Sequence, residues 1–229
     1  MVAAKMEKKD LDQPDAFQEA FGKFLDFARG NRQKLYVAVG VLTLVIVLGA
    51  GYLFYSASYE KDAAKLYFDA RLKAMKADPM GTGAAGPEVV KVLSEVVEKY
   101  PSSDAAQSAR YELGNLYFIV NEFDRSIQVY KEFIDSASKK DIRLVYAHFG
   151  IGYDYEAKKE YDKALEAFNQ VVESKPGNVF EGLSYRNIAR VYEEMNDSGK
   201  ALDYYKKALE KTKDPTASSL LKRKIAQLG

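Results

Sequence analysis

The sequence predicts an all-α chain in which an N-terminal transmembrane helix is followed by a solenoid of helical hairpins. Two observations carry that reading. One spacing occurs three times: Leu113-Gly114-x2-Tyr117 then Ser126-x3-Tyr130, Ile151-Gly152-x2-Tyr155 then Ala164-x3-Phe168, and Ile188-Ala189-x2-Tyr192 then Ala201-x3-Tyr205. The two small residues stand 12 positions apart in all three, and such self-similarity is the mark of stacked supersecondary units. The second observation is the run from Leu35 to Tyr55, which carries no charge and holds 12 Leu, Ile, Val or Phe residues. About 20 such residues cross a hydrocarbon core of roughly 30 Å, and their summed transfer terms favour the bilayer by several kcal/mol.

In chain order, Met1 to Gln13 is polar and expected to be mobile. Pro14 suits the first turn of a helix to Ala28 with Phe17, Phe21, Phe24, Leu25 and Ala28 on one face, and Gly30 breaks it. This aromatic stripe is read either as a helix lying at a membrane interface or as a docking face for a partner. Residues 1–34 thus form a cytoplasmic segment with an amphipathic helix, and 35–55 the span. The run is longer than the apolar core of a secretory signal and follows some thirty residues of charged sequence, so an uncleaved anchor is expected, although Ser56-Ala57-Ser58 offers small residues for cleavage. Lys23, Arg29, Arg32 and Lys34 precede the span against Lys61 and Lys65 after it, which places the amino terminus in the cytoplasm and the large domain in the periplasm. The absence of cysteine agrees with an oxidising compartment and excludes lipid attachment through a thiol.

Residues 56–102 read as a connecting helix, continuous with the span, and a degenerate first repeat whose second helix is Glu88 to Tyr100. Asp78 to Pro87 between them is the longest loop. Residues 103–215 hold the three clear hairpins, and 216–229 a capping helix that covers the last of them. Within a hairpin, Gly114, Gly152 and Ala189 are expected to meet Ser126, Ala164 and Ala201 where the two helices cross, because larger side chains would force the axes beyond 8 to 10 Å. Tyr117, Tyr155 and Tyr192 lie three residues on, along the same face, and Tyr130, Phe168 and Tyr205 project into the adjoining gap.

These residues resemble the tetratricopeptide repeat family, whose pattern is Leu-Gly-x2-Tyr, then Ala-x3-Phe, with a proline near the end of the unit. Pro176 stands at that place in the middle unit, Pro101 closes the degenerate one and Pro215 comes late in the last. Glu160-Tyr161-Asp162-Lys163-Ala164 and Asn121-Glu122-Phe123-Asp124-Arg125-Ser126 are the strongest local matches. The family's tryptophan is absent, and the units repeat at 38 and 37 residues where the family has about 34. The extra residues belong between units, as one added helical turn before the next hairpin.

A solenoid of this kind holds proteins. Facing away from the second helices are Tyr111, Asn115 and Phe118, then Tyr146, Phe149 and Tyr153, then Arg186, Arg190 and Glu193. Rings and an amide at one end with guanidinium groups at the other form a candidate peptide-binding concave face. No catalytic, metal or cofactor residues are expected. His148 is the single histidine and reads as packed. Gly81-Thr82-Gly83-Ala84-Ala85-Gly86 has dinucleotide-loop spacing but follows a helix where that motif needs a strand. Residues 56–229 carry 27 basic and 27 acidic residues, so no positive field exists to hold nucleic acid. Lys222-Arg223-Lys224 reads as the solvated face of the terminal helix.

The architecture, together with Phe24-Leu25-x-Phe27-Ala28-x2-Asn31 before the span, resembles the family of single-pass ancillary subunits of the bacterial Sec translocon. That resemblance implies an inner-membrane scaffold whose partners are translocon subunits, periplasmic chaperones and exported chains. A holdase-type chaperone that grips clients directly, or an assembly factor for another envelope complex, stays open.

Overall fold

A computed structural model describes residues 16–77, 86–174 and 179–229. The polar start with Pro14, residues 78–85 of the expected 78–87 loop with all of the glycine motif but Gly86, and Pro176 lie outside the described residues, whereas Gly86 and Pro87, expected in that loop, are helical. Among the described residues the regular elements are all helical: α1 (Ala16–Gly30), α2 (Arg32–Ala77), α3 (Gly86–Lys99), α4 (Asp104–Ile119), α5 (Phe123–Ser136), α6 (Arg143–Ala157), α7 (Tyr161–Glu173), α8 (Glu181–Glu194), α9 (Ser198–Lys211) and α10 (Pro215–Leu228). They fall into two compact units that divide between Ala57 and Ser58.

The first unit holds α1 and the apolar part of α2. Asn31 joins the two helices: its amide donates to the Phe27 carbonyl at 3.0 Å and its side-chain amide to the same oxygen at 3.1 Å, while Leu35 N–H donates to Asn31 O at 3.0 Å. α2 is long and apolar enough to cross a membrane, and Val41, Leu44, Ile46 and Leu48 present their side chains outward, uncovered by the chain. Thr43, the polar side chain in the middle of the run, donates its hydroxyl to the Val39 carbonyl at 2.8 Å, so the helix satisfies it internally.

In the second unit, Ala63 and Ala70 of α2 are fully buried in one cluster with Leu93 and Val96 of α3 and Ala106, Ala109 and Leu113 of α4. Seven residues separate the two alanines, which puts them on one helix face. Three hairpins follow, α4–α5, α6–α7 and α8–α9, each packed on the next, and α10 closes on α9. Ser103 caps α4 by accepting from Ala106 N–H, Asp197 caps α9 by accepting from Lys200 N–H, and Asp214 caps α10 by accepting from Thr216 and Ala217.

One turn closes all three hairpins. Asn121, Lys159 and Asn196 each adopt a left-handed backbone, with φ of 60°, 60° and 61°. In the first, Glu122 N–H donates to Tyr117 O at 2.8 Å and Asn121 N–H to Phe118 O at 3.0 Å. Glu160 to Tyr155 with Lys159 to Glu156, and Asp197 to Tyr192 with Asn196 to Glu193, repeat the pair, a Schellman closure that satisfies the last carbonyls of the first helix. Between the first two units the residues beyond the family's period fall in the non-helical stretch between α5 and α6, residues 137–142. The expected extra helical turn is therefore absent there; Asp141 instead accepts from the Arg143 amide at 2.9 Å and pairs with its guanidinium at 2.7 Å.

The glycines do more than allow the helices to cross. A Cβ on Gly114 would come within 2.5 Å of the Tyr130 ring, and one on Gly150 of the next unit would meet the other edge of that ring at 2.5 Å. Tyr130 is thus clasped between two bare backbones, one inside its hairpin and one beyond. Phe168 sits equally tightly on Gly152. Where the third unit has Ala189, the alanine shares a cluster with Ala201, Tyr205 and Leu221.

Candidate functional site

The first helices of successive hairpins, α4, α6 and α8, bring their exposed strips together around a groove of about 430 Å³ lined by Phe118, Tyr153, Glu156, Ala157, Lys159, Tyr161, Arg190 and Glu194. The repeat spacing builds it. Tyr153 and Arg190 occupy matching positions, one residue after Gly152 and Ala189. Phe118 ends α4 against Phe123, with ring centroids 5.9 Å apart, and Lys159 belongs to the left-handed turn of the middle hairpin.

Tyr153 and Arg190 are held in place from several sides. The Tyr153 ring stands edge-on to Phe168 at 5.4 Å and stacks with Phe149 at 6.3 Å, and its hydroxyl accepts from Asn187 Nδ2 at 2.9 Å. The Arg190 guanidinium lies 5.5 Å from the Tyr153 centroid. It grips Glu156 through two parallel bonds, Nε to Oε1 at 2.8 Å and a terminal nitrogen to Oε2 at 2.6 Å. Burial works against the arginine's charge, yet the Glu156 bonds prevail and hold its pKa above the usual range. Glu156 to Arg190 and Tyr153 to Asn187 both span 34 residues, so these polar links tie α6 to α8 at the offset of the family repeat. The site is pre-organised, with two of its charges already matched.

The eight residues singled out from sequence are dispersed more widely. Phe118, Tyr153 and Arg190 share the groove. Phe149, expected to face it, is only 4% exposed and packs in the core with Phe168, Val145 and Ile188; Phe180, preceding α8, covers its other edge at 6.4 Å. Tyr111 is half-buried against Tyr130 and Phe133, at 6.1 and 5.6 Å. Asn115 is engaged internally, donating to Tyr111 O at 3.1 Å and accepting from the Tyr130 hydroxyl at 2.8 Å. Tyr146 stays exposed and meets Phe180 edge-on at 5.4 Å. Arg186 is partly exposed on α8, outside the groove lining. Glu193 is engaged too: it accepts from the Tyr205 hydroxyl and from Lys224 Nζ at 3.0 Å.

Sequence reasoning missed Glu156, Lys159, Tyr161 and Glu194. Glu156 could have been found by asking which residue lies one family period before Arg190. Lys159 was findable as the residue matching Asn121 and Asn196 in the turns.

A second hollow, of about 440 Å³, opens between α5, α6 and α7 and includes Ile134, His148, Ile151, Tyr155 and Lys163. Burial lowers the His148 pKa, which keeps the imidazole neutral and consistent with a packing role.

Comparison with known proteins agrees with this architecture. Residues 145–214 match the tetratricopeptide repeat family. Over 229 residues, the whole of both chains, the protein is 25% identical to the ancillary SecYEG translocon subunit of Neisseria gonorrhoeae. Over 106 residues, 46% of this chain, it is 28% identical to lipopolysaccharide assembly protein B of Escherichia coli K12, and it spans about a quarter (26%) of that relative. Among solved structures, a Podosopora anserina protein with nearly identical TPR-like repeats superposes with a TM-score of 0.55 at 13% identity, over 74% of this chain and 86% of that one. MamA from Desulfovibrio magneticus RS-1 gives 0.52 at 16%, over 73% and 93%. These structural likenesses concern the fold alone. The match to tetratricopeptide repeats thus covers residues 145–214, and the likeness to an ancillary SecYEG translocon subunit runs along the full length.

Proposed function

We propose that this chain is a membrane-anchored protein-interaction scaffold of the bacterial envelope, accessory to the Sec translocon and to periplasmic chaperones. Residues 35–55 anchor it in the inner membrane with 1–34 in the cytoplasm. Residues 56–102 lead into the repeats of 103–215, and 216–229 cap them on the periplasmic side. The observation that carries the reading is the groove between α4, α6 and α8, lined by Phe118, Tyr153 and Tyr161, whose Arg190–Glu156 pair is already closed. A groove so equipped takes an extended or helical segment of a partner through apolar and ring contacts, with Lys159 and Glu194 at its edges. Of the residues chosen from sequence, Phe118, Tyr153 and Arg190 line it, while Tyr111, Asn115 and Phe149 pack beneath and Tyr146 and Arg186 lie outside the lining. The match of residues 145–214 to tetratricopeptide repeats supports a binding role for this face.

The full-length similarity to an ancillary SecYEG translocon subunit directs the proposal to the translocon. Co-purification with channel subunits tests it: association is expected to survive Tyr153→Ala with Phe118→Ala and to be lost when Leu35 to Tyr55 is exchanged for an unrelated span. Association that ignores the exchange overturns the anchoring role. A second reading, assembly factor for another envelope complex, draws on the partial similarity to lipopolysaccharide assembly protein B, and crosslinking in intact membranes to that machinery instead of the channel would favour it.

A further inference from the structure

We propose that α1 lies flat in the headgroup region of the leaflet that α2 enters, its phenylalanine face sunk into the acyl boundary. The inference rests on the membrane-anchored reading above and adds a second, in-plane membrane contact to it. Phe17, Phe21, Phe24 and Phe27 are 76%, 52%, 55% and 61% exposed, and the stacking of Phe17 on Phe21 at 6.1 Å leaves their outer faces uncovered.

The pattern around the helix fits a flat boundary better than a partner helix. At about 100° per residue, Phe17, Ala20, Phe21, Phe24, Leu25 and Phe27 fill roughly half of the circumference. Pairing with one other helix uses a narrower seam of two positions per heptad, whereas half a circumference is what an interfacial helix presents to lipid. The opposite half satisfies itself: Lys23 pairs with Glu19 at 2.8 Å and Arg29 with Asp26 at 3.7 Å, so no charge there asks for a protein partner.

Gly30 precedes Leu35, the first residue of the uncharged run, by five residues, about 7 Å of helix. Once α2 is inserted, the end of α1 is already at the headgroups. Nothing lies within 4 Å of a Cβ built on Gly30, so the Gly30–Asn31 joint is held by its own hydrogen bonds, Asn31 to Phe27 and Leu35 to Asn31, and loosening these lets α1 lie down.

The chain has no cysteine, so single cysteines report one place each. The full chain, carrying Ala20→Cys, Phe24→Cys, Asp26→Cys or Leu44→Cys with an environment-sensitive fluorophore, is reconstituted in vesicles of phosphatidylethanolamine and phosphatidylglycerol containing lipids with a nitroxide near the glycerol. Labels at 20 and 24 are expected to be quenched several-fold more than that at 26, with water-soluble iodide giving the reverse order. Ala20→Cys keeps every ring, so a loss of anchoring by Phe24→Cys cannot mimic a negative result. Equal nitroxide quenching at 20 and 26, with Leu44 reached by a deep nitroxide, overturns the proposal and spares the span. Labels at 20 and 24 shielded from both quenchers also overturn it, in favour of a protein covering the face. A Leu44 label accessible to iodide overturns the span itself and the proposal with it.

Discussion

Asp154 shows how one side chain can set a pH dependence. It is fully buried on α6, at the position where the neighbouring units have Leu116 and Val191. The Ser126 Oγ stands 3.0 Å from the Gly114 carbonyl oxygen and 2.7 Å from Asp154 Oδ2. One hydroxyl carries one proton, so a neutral Asp154 completes the pair by donating to Ser126 while Ser126 donates to Gly114. Burial agrees, raising the Asp154 pKa from 3.8 to about 7; only the ionised carboxylate would draw the Ser126 proton to itself and away from Gly114, and that smaller, opposing effect does not prevail. Between those values the folded chain holds a proton that the unfolded chain has lost, so stability falls as pH rises from about 4 to about 7. Asp154→Asn should remove that slope and raise stability at pH 8 by a few kcal/mol, read from urea unfolding at both ends of the range. A slope unchanged in the variant refutes the assignment. Lys159 offers a second case: it holds φ of 60° where a side chain costs about 1 kcal/mol, so Lys159→Gly should raise the unfolding midpoint in the same assay, whereas Asn121 and Asn196 already suit that backbone.

Between helices, the recurring small residue and its ring were legible from spacing alone, because the contact that keeps Gly114 and Gly152 bare is made within one hairpin, at fixed sequence distance. Gly152→Val should bring Cγ atoms into the Phe168 ring and cost about 2 kcal/mol or more, measured by thermal unfolding; an unchanged midpoint would mean that the ring has room to retreat. What spacing could not reveal is the role of the next unit. Phe149, expected to face away from its own partner helix, packs on Phe168 of that helix at 6.2 Å, and the arrival of α8 and Phe180 buries its other side. Tyr130 likewise touches Gly150 of the following hairpin, a contact with no short-range signature. The groove residues missed from sequence share this cause: Glu156 acquires its meaning only from Arg190 on another helix. The connection between α5 and α6 was misjudged for a different reason, since a count of surplus residues does not say whether they coil.

At the scale of the second unit, stability is a sum of neighbours, and α10 is the last of them. Leu221 is buried against Ala189, Ala201, Tyr205 and Ala208, and Lys224 reaches Glu193 of α8 at 3.0 Å. Ending the chain before Asp214 should expose that cluster and abolish amide-exchange protection in α9, while α4 and α5, two hairpins away, keep theirs. Uniform loss across all helices would show one indivisible core instead. The closed Arg190–Glu156 clamp has a consequence for the company the groove keeps. An acidic ligand gains nothing from a guanidinium already doubly engaged unless it evicts Glu156, and a basic one meets the converse obstacle. Attachment there should therefore be nearly indifferent to ionic strength, with oily segments admitted whatever formal charge the rest of their chain bears.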